Sequence, residues 1–166
     1  MTIEWQDVLM RLGAATAAGI AFGINRDLTH KPIGMRTLAL VSLGAAAVTV
    51  AAIQVSFIDN QHPDALSRVV QGAIQGIMAG ISFIGAGVIL RDADSKEVSG
   101  LTTAATVWVT AALGIACGLG AWIIVGVTVT LALLVLAGLA GLDEAIARRA
   151  ARNSKDKEPR ADLKSG

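Results

Sequence analysis

The stretch from Leu101 to Leu142 constrains the fold most, because it holds 42 consecutive residues without a charged side chain. A single helix of that length would measure about 63 Å, at about 1.5 Å per residue. The hydrocarbon core of a bilayer is only about 30 Å thick. The stretch must therefore fold back on itself. Gly118, Gly120 and the interface-seeking Trp122 mark the predicted turn between two membrane-spanning helices.

Three further apolar runs precede this stretch, and each has about the 20 residues that a membrane span requires. They are Trp5–Ile24, Met35–Ile58 and Val69–Leu90. Hydrophobic residues make up 54% of the chain and charged residues only 16%, whereas soluble domains average about 25% charged. We therefore predict an all-α, polytopic membrane bundle of about five transmembrane helices over residues 1–142. Residues 143–166 are expected to form a basic tail, helical to about Arg152 and then largely disordered.

The basic residues predict the orientation of this bundle. Twelve of the 14 lie in the Asn25–Gly34 loop with Arg36, in the Arg91–Gly100 loop and in the tail after Leu142. In a five-span bundle these segments share one side, which the positive-inside rule makes cytoplasmic. The tail is then inside and the N-terminus outside. The alternative, in which the first run does not span because it contains Arg11, moves only the N-terminus.

The first run does not read as a cleavable signal peptide. Its opening residues, MTIEWQD, carry two acids and no basic residue, whereas a signal peptide begins with a basic segment. Asp7 and Arg11 are one helical turn apart, so they can pair at the outer interface. The alternative is that Arg11 simply extends to the lipid headgroups.

Glycines recur at a spacing of four residues in three of the predicted spans. Gly72, Gly76 and Gly80 lie along one ridge of the third helix, and Gly19–Gly23 and Gly114–Gly118 repeat the spacing in the first and fourth. Small residues at this spacing let helix backbones approach closely in lipid. We expect the third-helix ridge to press against another helix, from this chain, a second copy or a partner.

Polar residues inside the spans also follow helical spacing. They can form hydrogen bonds to a neighbouring helix, which would make them structural. Alternatively, they line a narrow polar path or a partner site. The groups are Thr102, Thr106, Thr110 and Cys117 on the fourth helix, Gln71 and Gln75 on the third, and Ser42, Thr49 and Ser56 on the second.

The sequence offers little for ion coupling, metal binding or catalysis. After Asp7, no predicted span contains an Asp or Glu, although ion-coupled transporters usually need carboxylates within the membrane. The acids of the two loops that contain Asp59 and Asp92 can attract a divalent cation weakly or can simply be solvated. The two histidines, His30 and His62, fall on opposite sides, so no nucleophile–histidine pair is expected. We predict no cofactor, no metal site, no enzymatic activity and no nucleic-acid partner.

Four sequence blocks, read in order, resemble the MgtC/SapB family of bacterial inner-membrane proteins. They are GIAFGINRDL, KPIGMRTLALVSLG, the span from DALSRVVQG to GISFIGAGVIL, and VSGLTTAATVWVTAALGIACGLG, which together cover roughly Gly19–Gly120. The chain departs from the family pattern where Asn25-Arg26-Asp27 replaces E-R-E, Leu38 replaces His and Ser82 replaces Gly. Only 24 residues follow Leu142, so the resemblance is to a short form without the family's soluble C-terminal domain.

The resemblance implies a non-enzymatic protein of the bacterial inner membrane. Relatives are linked to adaptation to low magnesium, to virulence and survival inside macrophages, and to restraint of the F-type ATP synthase through contacts in the membrane. The implied partners are the lipid bilayer, membrane subunits of that synthase and a second copy of the chain.

The candidate functional residues come from the charged family block, the glycine ridge and the polar stripe. We expect Asn25, Arg26 and Asp27 at the cytoplasmic boundary, with Arg26 or Asp27 paired to Arg36, Arg91 or the loop acids. Two functions remain open: a regulator that binds partner helices through glycine-rich faces, and a divalent-cation transporter or channel. The other candidate residues are Gly72, Gly76, Gly80, Thr102, Thr103 and Cys117.

Overall fold

Five helices make up the described part of the chain, and the predicted all-α class is confirmed. The computed structural model describes residues 4–29, 31–58, 63–91 and 100–155, and over these ranges it contains no strand. The helices are α1 (Trp5–Leu28), α2 (Met35–Ile58), α3 (Pro63–Arg91), α4 (Leu101–Leu119) and α5 (Trp122–Lys155).

Four helices of the described ranges are long and apolar enough to cross a membrane, which makes the chain a multi-pass membrane protein. These segments are Trp5–Leu28, Met35–Val55, Leu66–Ile89 and Leu101–Leu119. In the described part of α5 the apolar segment is shorter, Trp122–Gly138. In the sequence its apolar character continues to Leu142.

The predicted fold-back of the long apolar stretch is confirmed. α4 ends at Leu119, and Gly120 takes a left-handed conformation with φ of 72°. The N–H of Gly120 donates to the carbonyl of Cys117, and the N–H of Ala121 donates to that of Ala116, each at 2.9 Å. This pattern is a Schellman motif, which satisfies carbonyls at a helix end and favours glycine. α5 then begins at once with Trp122.

The core forms where α1, α2 and α4 pack against one another, and glycines allow their backbones to approach. A Cβ added at Gly19 would lie 2.5 Å from the carbonyl oxygen of Leu38 on α2, and one at Gly118 would lie 2.7 Å from the Cβ of Thr49. Gly23 and Gly114 are equally close to α2. Both glycine pairs predicted for α1 and α4 are therefore packing sites, and both face α2.

α3 lies against α2 and α4 but leaves its glycine ridge uncovered. A Cβ added at Gly72, Gly76 or Gly80 would meet nothing within 4 Å among the described residues. Only 11% of the α3 span is buried, compared with 61% of the α4 span. The ridge was expected to press against a helix of this chain, of a second copy or of a partner. No helix of the described residues lies against it.

The chain divides into two compact units, Met1–Val129 and Thr130–Gly166. The first contains α1 to α4 and the start of α5, and the second contains the rest of α5. The helix expected to end at about Arg152 continues to Lys155. Other predictions fall outside the described residues: the disorder expected beyond that helix and the loop acids Asp59, Asp92, Asp94 and Glu97. Both histidines lie outside them too.

Candidate functional site

Arg26 connects the end of α1 to the beginning of α4. Its side chain is buried, with 3% of its surface exposed, and its Nη2 donates a hydrogen bond to the hydroxyl of Thr103. Nε of the same guanidinium is also buried and has no acceptor among the described residues. The structure thus brings together two of the sequence candidates that lie 77 positions apart.

Asp27, the next residue, fixes the start of α2 rather than an arginine. Its Oδ2 accepts the N–H of Met35, the first residue of α2, at 3.1 Å. That N–H is among the helix-terminal donors that have no partner within the helix. A Cβ added at Gly34 would collide with the other carboxylate oxygen, so the exposed Asp27 side chain would have to move to admit one. Within the described residues Asp27 makes no ion pair with Arg36, whose side chain is exposed.

The backbone of the Asn25-Arg26-Asp27 segment closes the end of α1. The carbonyl of Arg26 accepts the N–H of Thr29 at 3.2 Å and that of Lys31 at 3.1 Å. The hydroxyl of Thr29 donates to the carbonyls of Asn25 and Arg26, each at 3.1 Å. These bonds satisfy carbonyls that would otherwise lack a partner at the helix terminus. Asn25 itself is half-buried.

A line of buried polar side chains continues from Thr103 along α4. Thr103, Thr106, Thr110 and Cys117 are buried, whereas Thr102 is exposed. The buried stripe therefore runs through Thr103, one position from the predicted one. Cys117 packs in an apolar cluster with small residues of α1 and α2.

The Thr103 hydroxyl accepts its hydrogen bond from Arg26 on α1, whereas the hydroxyls of Thr106 and Thr110 bond within their own helix, which differs from the expected bonds to a neighbouring helix. Thr106 donates to the carbonyl of Thr102 and Thr110 to that of Thr106, each at 2.7 Å. On α2, Thr49 likewise donates to its own helix, at the carbonyl of Ala45. Ser42 is buried, and its hydroxyl has no partner in the described part of the chain.

At the opposite end of α1, Arg11 makes the predicted pair with Asp7. Its Nε lies 2.9 Å from Oδ2 of Asp7, so the pairing is confirmed. Arg11 also makes a second contact that the sequence did not predict. Its Nη1 donates to the carbonyl of Gly118 on α4 at 2.7 Å. The guanidinium also covers Gly120, where an added Cβ would lie 3.1 Å from Cζ.

A largely apolar groove of about 710 Å³ runs along the first half of α3. It contains Gln71 and Gln75, the two α3 amides that the sequence singled out. No cluster of three metal-binding side chains occurs in the described ranges. The groove is lined by Ile53, Leu66, Ser67, Val70, Gln71, Ile74, Gln75 and Leu119.

Two departures from the family pattern have clear places in the structure. Leu38, which stands where many relatives have His, is fully buried, and its carbonyl lies beside Gly19. Ser82, which replaces a glycine, is exposed, and its hydroxyl donates to the carbonyl of Met78 at 2.9 Å. Neither departure introduces a buried group without a partner.

The sequence model of the MgtC family matches residues 12–145. The chain is 39% identical over 125 residues to Protein SrpB of Synechococcus elongatus, which covers 72% of this chain and 67% of SrpB. It is 35% identical to Protein SapB of Bacillus subtilis, over 72% of this chain and 52% of SapB.

Protein MgtC of Salmonella typhimurium is 40% identical over 112 residues, which are 68% of this chain and 43% of MgtC. The chain therefore spans about half the length of several curated relatives. No solved structure matches it.

Proposed function

Since this chain belongs to the MgtC family, we propose that it is a non-enzymatic regulator that acts within the bacterial inner membrane during adaptation to low magnesium. It does so by binding helices of a partner protein. The observation that carries this proposal is the glycine ridge of α3, because α2 fills the glycine pairs of α1 and α4, whereas no described residue fills the ridge of α3.

The ridge has the properties of a helix-docking face. Gly72, Gly76 and Gly80 present bare backbone, and spacings of three and four residues place Val69 and Phe83 on the same face. Phe83 is 85% exposed and Val69 39% exposed. In lipid, a helix gains from such a face through close van der Waals contact. The two larger side chains would then flank the incoming helix and set its register.

The partner we propose is a membrane subunit of the F-type ATP synthase, and its engagement restrains the synthase. A second copy of the chain is the alternative occupant of the same face. In this proposal the tail lies in the cytoplasm and the N-terminus outside, as the distribution of basic residues predicts.

The buried polar line makes the alternative, a divalent-cation transporter or channel, less favourable. Arg26 lies at the end of the line formed by Thr103, Thr106 and Thr110, and its positive charge would repel a cation entering there. The carboxylates of α1 are engaged, Asp7 with Arg11 and Asp27 with the first N–H of α2.

Photocrosslinking in living cells tests the docking proposal. A photoreactive residue at position 76 should yield an adduct with an ATP synthase membrane subunit when magnesium is scarce. The matched control is the same residue at Leu40, which is 68% exposed on α2 and should yield lipid adducts only. Identical adducts at both positions would remove the basis for docking at the ridge.

A growth assay tests the magnesium role separately. Gly76→Leu should fail to support growth in low magnesium at a normal protein level, whereas Ile74→Leu, on the other side of α3, should support it. If both variants support growth, the ridge has no part in adaptation to low magnesium.

A further inference from the structure

Arg26 carries a positive charge that nothing in the described structure neutralises. It is the charged side chain that those residues bury most completely, with 3% exposed. Ion pairs within the described ranges include Arg11 with Asp7 but none that involves Arg26. A buried charge is strongly unfavourable unless an anion or several acceptors compensate it. Within the described ranges, this charge therefore lacks an anion.

The guanidinium is also incompletely hydrogen-bonded. An arginine offers five N–H donors in a fixed planar fork. Nη2 uses one donor on the neutral hydroxyl of Thr103, while Nε, on the same edge of the fork, has no acceptor among the described residues. Nε and Nη2 are the neighbouring nitrogens that together bind carboxylate or phosphate oxygens in bidentate pairs.

The second half of the site is the first turn of α4. Its N-cap, Gly100, has φ of 87° and makes no side-chain cap hydrogen bond. Ala104 donates to the carbonyl of Gly100 at 2.9 Å. The N–H groups of Leu101, Thr102 and Thr103 come before this first bond and therefore have no acceptor within the helix. These groups carry the positive end of the helix dipole and are a favourable location for an anion. Leu101 and Thr102 are exposed, so the turn is accessible.

We propose that Arg26 and the first turn of α4 together bind a phosphate group. A phosphate has enough oxygens to accept from the unpaired Nε of the guanidinium and from the helix terminus together. Leu101 also begins a membrane-spanning segment, which places the turn at the depth of lipid headgroups. The phosphate can therefore come from an anionic lipid or from inorganic phosphate in solution. This site is independent of the α3 ridge, so either proposal can fail without the other.

Two arms of one experiment identify the source. The full chain, purified in maltoside, is dialysed against radiolabelled inorganic phosphate without lipid. In parallel, lipid retention is compared by native mass spectrometry between phosphatidylglycerol and a phosphate-free galactolipid. We expect one phosphate group bound per chain in at least one arm. Binding of inorganic phosphate alone assigns a soluble ligand, and selective retention of phosphatidylglycerol assigns a lipid.

Three variants test whether these residues form the site. Arg26→Lys keeps the charge but loses the fork, and it should bind about tenfold more weakly. Thr102→Glu places a carboxylate at the exposed first turn and should abolish binding, whereas Thr102→Gln should bind within about twofold of the parent. Arg36→Gln, which removes an exposed arginine, should also leave binding unchanged.

The variants at Thr102 keep the test decisive if changes at the buried arginine prevent folding, because Thr102 is exposed. The proposal is overturned if neither arm detects phosphate. It is also overturned if Arg26→Lys and Thr102→Glu bind like the parent, or if an acidic peptide displaces phosphate at equal concentration.

Discussion

Arg11 and Gly118 lie 107 positions apart in sequence, and Nη1 of Arg11 donates to the Gly118 carbonyl at 2.7 Å. That carbonyl belongs to the last turn of α4, where backbone acceptors have no partner within the helix and the dipole favours a cation. A charged side chain inside an apolar run therefore fastens the first helix to the end of the fourth.

Replacing Arg11 should destabilise this contact. A hydrogen bond to a charged group contributes roughly 1.5–3 kcal/mol. The side chains of Arg11 and its ion-pair partner Asp7 are 19% and 32% exposed, so the effect of Arg11→Met should lie toward the lower end of that range. Thermal melting in detergent measures the change. Asp7→Asn removes the ion pair but keeps the bond to Gly118, so it should cost less than about 1 kcal/mol. Equal losses for the two variants would contradict the role given to Gly118.

Asp27 and Gly34 should show non-additive effects. Asp27→Ala removes the acceptor for the first N–H of α2 and should cost about 0.5–2 kcal/mol, as loss of a helix cap does. Gly34→Ala should cost no more than this, because its Cβ displaces the exposed Asp27 carboxylate from the N–H of Met35. In the double variant the collision is absent, so the combined loss should be smaller than the sum of the single losses. Melting temperatures of the four proteins test this, and strict additivity would rule out the direct contact.

A substitution at Asp27 alone distinguishes a structural role of its side chain from a functional one. If Asp27 acts only by starting α2, Asp27→Asn should restore both melting temperature and growth in low magnesium, because an amide oxygen also accepts an N–H. An Asp27→Asn protein with normal stability and abundance that does not support growth would show that the carboxylate has a further role.

Gly118 and Gly76 belong to glycine series of the same spacing, but replacing each by leucine should affect stability differently. Gly118→Leu would force side-chain atoms into the contact with Thr49, where an added Cβ alone lies at 2.7 Å. Overpacking of this kind typically costs about 1–3 kcal/mol. Gly76→Leu should leave the melting temperature of the purified chain unchanged but reduce crosslinking to the partner in membranes. A lower melting temperature for Gly76→Leu would show that the ridge packs within the chain or a stable oligomer.

Reporter fusions at residue 166 test the orientation. A cytoplasmic C-terminus predicts that a fused fluorescent protein is bright and that fused alkaline phosphatase is inactive. Active phosphatase with a dark fluorescent protein would reverse the proposed orientation.

Composition and glycine placement were sufficient to predict the helices and the turn after α4, because lipid leaves few alternatives to a helix for each apolar run. The contacts were harder to predict. Gly19 and Gly76 have the same local spacing, and only the position of α2 decides which one is filled. The polar stripe was predicted through Thr102 rather than Thr103, because adjacent positions differ by only about 100° around a helix.

The Arg26–Thr103 contact could not have been read from the sequence. A cation at the end of a span is usually solvated, and nothing in the local pattern indicates burial against a helix 77 positions away. The one available signal is the uncapped start of α4, since GLTT offers a glycine where Ser, Thr or Asp would ordinarily serve as the N-cap.

The glycine contacts of α2 have a consequence for biosynthesis. The residues of α2 that meet the glycines of α1 and of α4 lie along one face, because they are spaced three and four apart between Met35 and Thr49. Chains emerge from the ribosome N-terminus first, so the α1–α2 contact can form as a hairpin soon after Met35–Ile58 has entered the membrane. The part of the face that carries Ser42 and Thr49 meets Gly114 and Gly118 only once α4 has followed α3. The nascent chain must therefore keep α3 out of the position that α4 later fills.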